Sequence, residues 1–329
     1  MKRLIPIISG DPNSINTEII SKIWKRKSSF KNTDIFLVGN YDLIKKQFKK
    51  IGAKINVKKI NDINGHNYQK KLHIFDVPLK FNDVFNVASK NKSSYIKNSF
   101  KAIFAIKKLK KISGFINCPI NKRETFGKNF IGITEYLAKK EGLRGKEVML
   151  IYNKKLSVSP ITTHIKLNKV PKKLSKDKII KNIITINNFY KKNLNIKPII
   201  GILGLNPHND EFRPSSEEMK IIIPAIKKLK NMKINVNGPI APDTAFINWK
   251  KEKFNVLVGM YHDQVLTPFK TIYKFNAINI TLIIIYFISL FVYSIFCSVN
   301  VCCVCFESFC FNIYFTNLVI LFVFYRRNI

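Results

Sequence analysis

The stretch LIPIISGDPNSINTEIISKIWKRKSSFKNTDIFLVGNYDLIKKQFKKI, residues 4–51, decides the fold class. Leu4 to Ser9 is a short apolar run stopped by Gly10-Asp11-Pro12, the pattern of a buried strand closed by turn residues. From Thr17 to Arg26 the apolar residues recur at helical spacing, with Asn16 placed to cap the helix and Glu18 in its positive first turn. Asp34 to Gly39 reads as a second strand and Tyr41 to Ile51 as a second helix. This β-α-β-α rhythm predicts an α/β fold with mostly parallel sheets.

The same rhythm continues outward. A long helical pattern covers Val84 to Lys111, Gly114 to Cys118 reads as a strand, and Glu135 to Glu141 as a helix closed by Gly142. Strands are expected at Val148 to Tyr152, Ser157 to His164, Ile199 to Leu205 and Phe254 to Tyr261. Helices are expected at Asp177 to Lys192 and Glu217 to Lys230. With 329 residues, two domains of ordinary size fit the chain.

The formal net charge of +37 raises the question of nucleic acid or an anionic membrane. Most of it is diffuse lysine, as in Lys45-Lys46-Gln47-Phe48-Lys49-Lys50, where the lysines lie between apolar positions of a helix and form a solvated face. The accompanying excess of Ile, Asn and Phe is the usage an AT-rich genome produces. No aromatic-basic motif of a nucleic-acid binder is present, so no nucleic-acid partner is expected. A phosphorylated substrate would still gain from the positive field. The apolar run after Lys2-Arg3 is too short for a signal peptide, and a cytoplasmic location is expected.

Composition breaks near residue 283. From Phe275 to Phe306 there is no charged residue, and Cys297, Cys302, Cys303, Cys305 and Cys310 all fall in this tail. An uncharged apolar run of about 20 residues can span a bilayer. Metal binding by Cys302-Cys303-Val304-Cys305 would need spaced thiolate pairs on turns, which an unbroken apolar run does not offer. Translation of T-rich codons out of register would give this mixture of Phe, Ile, Leu, Val, Tyr and Cys, and a frameshift is the expectation. Resequencing the codons for Ile280 to Tyr286 tests it; an intact in-frame read would sink it.

Three of the five histidines, His164, His208 and His262, follow expected strands, where the functional residues of α/β folds gather. Three imidazoles would suit zinc, cobalt or a similar divalent ion and leave positions open for substrate. His66 and His73 lie in less distinctive surroundings and are read as ordinary structural residues.

Seven motifs occur in fixed order: Gly10-Asp11-Pro12, Asn117-Cys118-Pro119-Ile120-Asn121-Lys122, Thr134-Glu135-Tyr136-Leu137-Ala138, Thr162-Thr163-His164, Gly204-Leu205-Asn206-Pro207-His208, Gly238-Pro239 with Asp243-Thr244, and Tyr261-His262-Asp263-Gln264. In this respect residues 1–282 resemble the 4-hydroxythreonine-4-phosphate dehydrogenases, the PdxA family. The resemblance implies two α/β/α domains of the isocitrate and isopropylmalate dehydrogenase type, in a homodimer with its active sites at the dimer interface. The domains would be residues 1–125 with about 255–282, and residues 126–254, followed by the aberrant tail 283–329.

By the same resemblance His164, His208 and His262 would hold a divalent metal (Zn, Co or Mg), and Thr134, Lys270 and Asn279 would contact the phosphorylated substrate. The implied reaction is NAD-dependent oxidation and decarboxylation of 4-phosphooxy-L-threonine to 3-amino-2-oxopropyl phosphate, a step of pyridoxal phosphate (vitamin B6) biosynthesis. Asp243 and Asp263 would orient histidines or relay a proton. No Rossmann G-x-G-x-x-G follows any predicted strand, as in that family, and the residues holding the cofactor stay unassigned.

The chain departs from the family pattern in places. Ile133 stands where the family has a histidine, Ser14 and Asn16 stand at glycines, and a Gly-Leu-Pro segment, a substrate-binding Arg and an Asp-His-Gly-Thr motif do not follow Leu282. Weakened activity and poor solubility are therefore expected of this polypeptide. The alternatives are a dehydrogenase of 4-phospho-threonate or 4-phospho-erythronate, and a non-catalytic, membrane-anchored metal-binding protein if the tail is genuine.

Overall fold

The computed structural model describes residues 3–29, 33–108, 112, 115–127, 133–140, 142, 145, 147–283 and 287–289. The expectations about the cysteine-rich tail lie outside the described residues. So do the last residues of the long helix expected to reach Lys111. The described chain forms two compact units, one running to Gly142 and the other Leu143–Ile285. Among the described residues, no helix is long and apolar enough to cross a membrane.

The first unit runs β1 (Arg3–Ile8), α1 (Asn16–Lys25), β2 (Thr33–Gly39), α2 (Tyr41–Lys50), β3 (Val57–Ile60), β4 (Leu72–Asp76), α3 (Ser89–Lys108), β5 (Ile116–Asn117), α4 (Lys122–Phe126) and α5 (Ile133–Lys140). Its sheet has the order β3-β4-β2-β1-β5, and every pairing is parallel. Phe36, Leu37 and Val38 of β2 have no exposed surface, because helices cover both faces of a parallel sheet. The Asn40 side chain accepts a hydrogen bond from the Leu43 N–H at 2.9 Å and so starts α2, whose Leu43, Ile44, Gln47 and Phe48 face the core.

At the other helix the expected cap is not made. Asn16 is the first residue of α1, with Ile15 in the capping position. Its amide instead donates to the carbonyls of Asp11 (3.2 Å) and Pro119 (2.8 Å). Gly10, at φ +76°, admits this arrangement, since a side chain there would strike Asn16 and the Cys118 and Pro119 carbonyls.

The second unit runs β6 (Glu147–Tyr152), β7 (Ser157–Thr162), α6 (Val170–Lys173), α7 (Lys176–Phe189), β8 (Ile200–Leu203), α8 (Ile223–Asn231), β9 (Val236–Ile240), α9 (Pro242–Asn248), β10 (Val256–Tyr261), α10 (His262–Tyr273) and β11 (Ile278–Ile283). A short edge strand β12 (Phe287–Ser289) completes the sheet order β12-β11-β6-β7-β10-β8-β9. Strands β7, β10, β8 and β9 are parallel, and β6 is antiparallel to both β7 and β11.

This topology corrects the expected domain division. Residues 255–282 do not return to the first unit: β10 is inserted between β7 and β8, and β11 pairs with β6 from Ile278 opposite Tyr152 to Ile283 opposite Glu147. The reason is burial. Val256, Leu257, Val258 and Met260 have no exposed surface, and Leu257 packs in one core with Leu156, Val158, Leu203, Trp249 and Phe269. Elsewhere the expected strand at 157–164 ends at Thr162 and that at 199–205 is Ile200–Leu203. The helix expected at 177–192 passes into a wider turn, Tyr190–Leu194, closed by left-handed Asn195.

Candidate active site

Three neighbouring parallel strands of the second unit, β7, β10 and β8, end at one edge of the sheet, and each delivers a histidine. Thr162 pairs with Tyr261, so His164, two residues past the end of β7, stands beside His262, the first residue of α10. Their rings lie 5.7 Å apart, centre to centre, at 38°. Two imidazoles sharing one tetrahedral ion, each nitrogen at about 2.0–2.1 Å, stand roughly 5 Å apart, so this pair fits a common ion. The Thr162 hydroxyl donates to the Met260 carbonyl at 2.7 Å and ties the two strand ends together.

His262 Nδ1 is 2.6 Å from Asp263 Oδ1. A carboxylate on Nδ1 fixes that nitrogen as N–H and leaves the Nε2 lone pair outward, the arrangement typical behind a metal-binding histidine.

His208 comes from the loop after β8. Residues His208, Asn209, Asp210, Glu211 and Phe212 all have positive φ, between 48° and 57°, and so form a left-handed turn built without glycine. His164, at φ 50°, shares this conformation. Each such residue costs about 1–2 kcal/mol, and backbone of this kind gathers at functional sites.

The surroundings hold the turn in place. The Glu218 carboxylate, fully buried, accepts from the Leu205 and Asn206 N–H groups at 2.7 and 2.8 Å and from Asn206 Nδ2 at 3.1 Å. Gly204 cannot carry a side chain, which would run into Asn209 and Glu218. Gln264 Oε1 accepts from the Met260 N–H at 2.6 Å, while its Nε2 donates to the Gly204 carbonyl at 2.8 Å. Sequence reasoning quoted Gln264 only as the end of a motif and passed over Glu218, which has no local signal among the many charged residues.

The remaining expected residues are distributed as follows. Asp243 is exposed, three residues past the end of β9, at the same sheet edge as the histidines. Lys270 is exposed, eight residues beyond His262 and so about 12 Å further along α10. Asn279 pairs with Ile151, which pairs with Val158, four residues before the end of β7. That places it about 13 Å down the strands from the histidine edge. Its buried Oδ1 has no hydrogen-bond partner. Thr134 is the second residue of α5, in the first unit. Within the described residues, then, the fold brings His164 and His262 together, with His208 and Asp243 at the same edge, and places Lys270 and Asn279 away from it. No group of three His, Cys, Asp or Glu side chains converges on one point among the described residues.

The first unit has its own polar centre. Between β1 and β5 the strand order reverses direction, the crevice where open α/β sheets receive ligands. Asn117 ends β5 there, fully buried, with neither amide atom hydrogen-bonded. Nearby Lys92 Nζ lies 3.5 Å from Asp11 Oδ2 and 2.5 Å from Glu124 Oε2. These are the residues of this unit that could meet a polar cofactor.

His66 and His73 keep their structural reading and gain a partner in each other. Their rings stack at 5.3 Å, and Tyr68 packs edge-on against His73 at 4.9 Å. Burial is the main cause that lowers the His73 pKa, with Lys58, Lys71 and His66 adding repulsion and the Lys71 carbonyl opposing it. The unfolded chain binds the proton at about 6.5 and the folded one resists it, so stability falls as pH drops through that value. Urea midpoints are expected to decline between pH 7.5 and 5.5 more in the natural chain than in His73→Phe; equal declines would refute the assignment.

Residues 31–288 match the family model described as pyridoxal phosphate biosynthetic protein PdxA. A 4-hydroxythreonine-4-phosphate dehydrogenase from Sulfurihydrogenibium sp. (strain YO3AOP1) is 36% identical over 284 residues, covering 84% of this chain and 86% of the relative. The protein of the same name from Aquifex aeolicus (strain VF5) is 35% identical over 290 residues, covering 86% and 87%. The crystal structure of a 4-hydroxythreonine-4-phosphate dehydrogenase from Burkholderia phymatum superposes with a TM-score of 0.73 at 25% identity, covering 86% of this chain and 87% of that one.

Proposed function

The chain belongs to the PdxA family of pyridoxal phosphate biosynthetic proteins, and from that premise we propose that it oxidises and decarboxylates 4-phosphooxy-L-threonine to 3-amino-2-oxopropyl phosphate. As a dehydrogenase of this family it uses a nicotinamide-type hydride acceptor, here proposed to be NAD. His164, His208 and His262 are proposed to hold a divalent ion. The observation that supports this is the His164–His262 pair at 5.7 Å, with Asp263 behind His262.

Held by these histidines, such an ion would supply Lewis-acid chemistry to the substrate: acidification of the C3 hydroxyl and an electron sink at the ketone for loss of carbon dioxide. The chain's own groups do the rest. Asp263 Oδ1, 2.6 Å from His262 Nδ1, is proposed to keep the proton on Nδ1 and Nε2 free to bind. Asp243, exposed at that edge, is proposed to relay the proton that leaves the hydroxyl and the one that returns to the carbon left by decarboxylation. Thr134, Lys270 and Asn279 are proposed to hold the phosphorylated substrate, Lys270 as a point charge for an anionic group.

Lys270 and Asn279 are distant from the histidines of the same chain, and no three-donor group forms among the described residues. The distance of Asn279 from the histidines supports the proposed homodimer, in which one protomer's histidine edge meets its partner's Asn279. Mixing His164→Ala and Asn279→Ala chains, each nearly inactive alone, is then expected to restore about a quarter of wild-type activity, because half the dimers are mixed and each has one intact site. Recovery below a few per cent would overturn the shared site.

The decisive assay is NADH formation by the metal-loaded chain with 4-phosphooxy-L-threonine, 4-phospho-threonate and 4-phospho-erythronate. Preference for the first supports the reading, preference for either acid replaces the substrate, and no turnover with any refutes it for this polypeptide. The tail is proposed to be an out-of-frame product, and the reading of the gene past Leu282 decides that separately.

A further inference from the structure

The histidine edge is assembled from strand ends that are far apart in sequence and that no covalent link holds in register. The loop after β8 carries His208 on five left-handed residues, a conformation that would relax if its root were free. Two side chains outside the histidine set grip that root. Gln264 reaches from the first turn of α10 and places its acceptor on the Met260 N–H and its donor on the Gly204 carbonyl, at 2.6 and 2.8 Å. Gly259 makes room for it, since a side chain at that position would strike Gln264 and Val265. Glu218, fully buried, then holds the next two backbone N–H groups, of Leu205 and Asn206.

We propose that Gln264 and Glu218 are positioning residues for the histidine centre: Gln264 joins the end of β10, which leads into His262, to the end of β8, and Glu218 fixes the backbone that leads from β8 to His208. The claim rests on the metal-binding reading above.

The chemistry explains the residue types. Bridging one N–H and one C=O from a single planar group requires an acceptor and a donor side by side, which a carboxamide has. Glu would face the Gly204 carbonyl with a second acceptor, Asn is one methylene short, and Leu offers neither. At 218 the requirement differs. Two N–H groups and one amide converge on it, so an acceptor-only carboxylate is matched, and Gln would keep one oxygen for the two N–H groups.

The test uses the full chain and the metal alone. Zinc affinity is read by competition with a chromophoric chelator and cobalt(II) coordination by its visible spectrum, beside apo-protein melting, for wild type and for His208→Ala, Gln264→Leu, Gln264→Glu, Glu218→Ala and Glu218→Gln. Loss of a group that orients ligands weakens metal affinity about 10–100-fold. That loss and an altered cobalt spectrum are expected for Gln264→Leu, Gln264→Glu and Glu218→Ala, with Glu218→Gln retaining most of the affinity. Gln264→Glu, which keeps the side chain's size and its bond to Met260, carries the test if Gln264→Leu does not fold. If His208→Ala weakens binding but the Gln264 and Glu218 variants stay within twofold of wild type while melting lower, the two residues are only structural and the inference fails. If wild type and His208→Ala bind alike or not at all, the metal reading itself fails.

Discussion

Replacing His262 with Ala is expected to lower the NADH-forming rate at least about 1000-fold relative to the unmodified chain. His262 is the histidine whose geometry is most completely determined. It opens α10, lies 5.7 Å from His164, and has its Nδ1 engaged by Asp263. A divalent ion at the reacting oxygen contributes several kcal/mol to the transition state. Because 1.36 kcal/mol is a factor of ten in rate, losing about 4 kcal/mol gives the stated decrease. Asp263→Asn should cost less, about 10–100-fold, since it disturbs the orientation of the imidazole and not its presence. The side chain of Asp263 is largely exposed, at 79%, which argues against a larger effect. Steady-state rates at saturating zinc check both values. A His262→Ala chain within tenfold of wild type would end the metal-centred account.

The largest effect on stability is expected at Lys92. Its side chain is 9% exposed and meets Asp11, itself 10% exposed, and Glu124, 39% exposed. Burial works against the ammonium, but hydrogen bonds and charge from Glu124 and Asp11 outweigh it and hold the lysine above its ordinary pKa. The stability this gives is present at neutral pH and is lost only as pH rises through that elevated value. Lys92→Met would leave Asp11 buried and uncompensated, and removing one partner of a buried pair costs about 3–5 kcal/mol. Against a typical total of about 5–15 kcal/mol, that is a large share of folding stability. Lys92→Met with Asp11→Asn should recover much of the loss, because the charge left behind is then gone. Denaturant midpoints measure both; a Lys92→Met shift below about 1 kcal/mol would sink the argument.

Much of this architecture was readable in the chain itself, for particular reasons. β1, β2 and β10 announce themselves because strands buried on both faces need continuous apolar runs, as in Ile35-Phe36-Leu37-Val38. β3 gave no such signal: it is an edge strand whose Lys58 and Lys59 are exposed, so only Ile60 is buried. β9, Val-Asn-Gly-Pro-Ile, looks like a turn because Gly238 and Pro239 interrupt it, yet it pairs with β8 at the sheet edge. The misplacement of residues 255–282 has a different origin. Strand order depends on pairing between segments about a hundred residues apart, and nothing local in Val256 to Tyr261 says that its neighbours are β7 and β8.

For the site, the histidines were legible as motifs at strand ends, and their clustering at one edge follows from the parallel order of those strands. The support beneath them was not. A buried glutamate that binds backbone N–H groups has no sequence signature, and the role of Gln264 depends on Gly204, sixty residues away. Asn16 looked like a cap because small polar residues before an apolar period usually are caps, but contacts from the loop after β5 claimed its side chain.

The left-handed turn at 208–212 also sets the rules for substitution there, and they run opposite to those of the rest of this isoleucine-rich chain. Elsewhere the fold rewards branched apolar side chains. At Asp210 and Glu211 it should reject them and welcome glycine or asparagine, which enter positive φ at little cost. The same backbone is the mirror image of the one that right-handed helices use, so a D-residue introduced by semisynthesis at 210 would fit where L-valine would not. In this one loop, handedness, more than hydrophobicity, decides which residues the protein can accept.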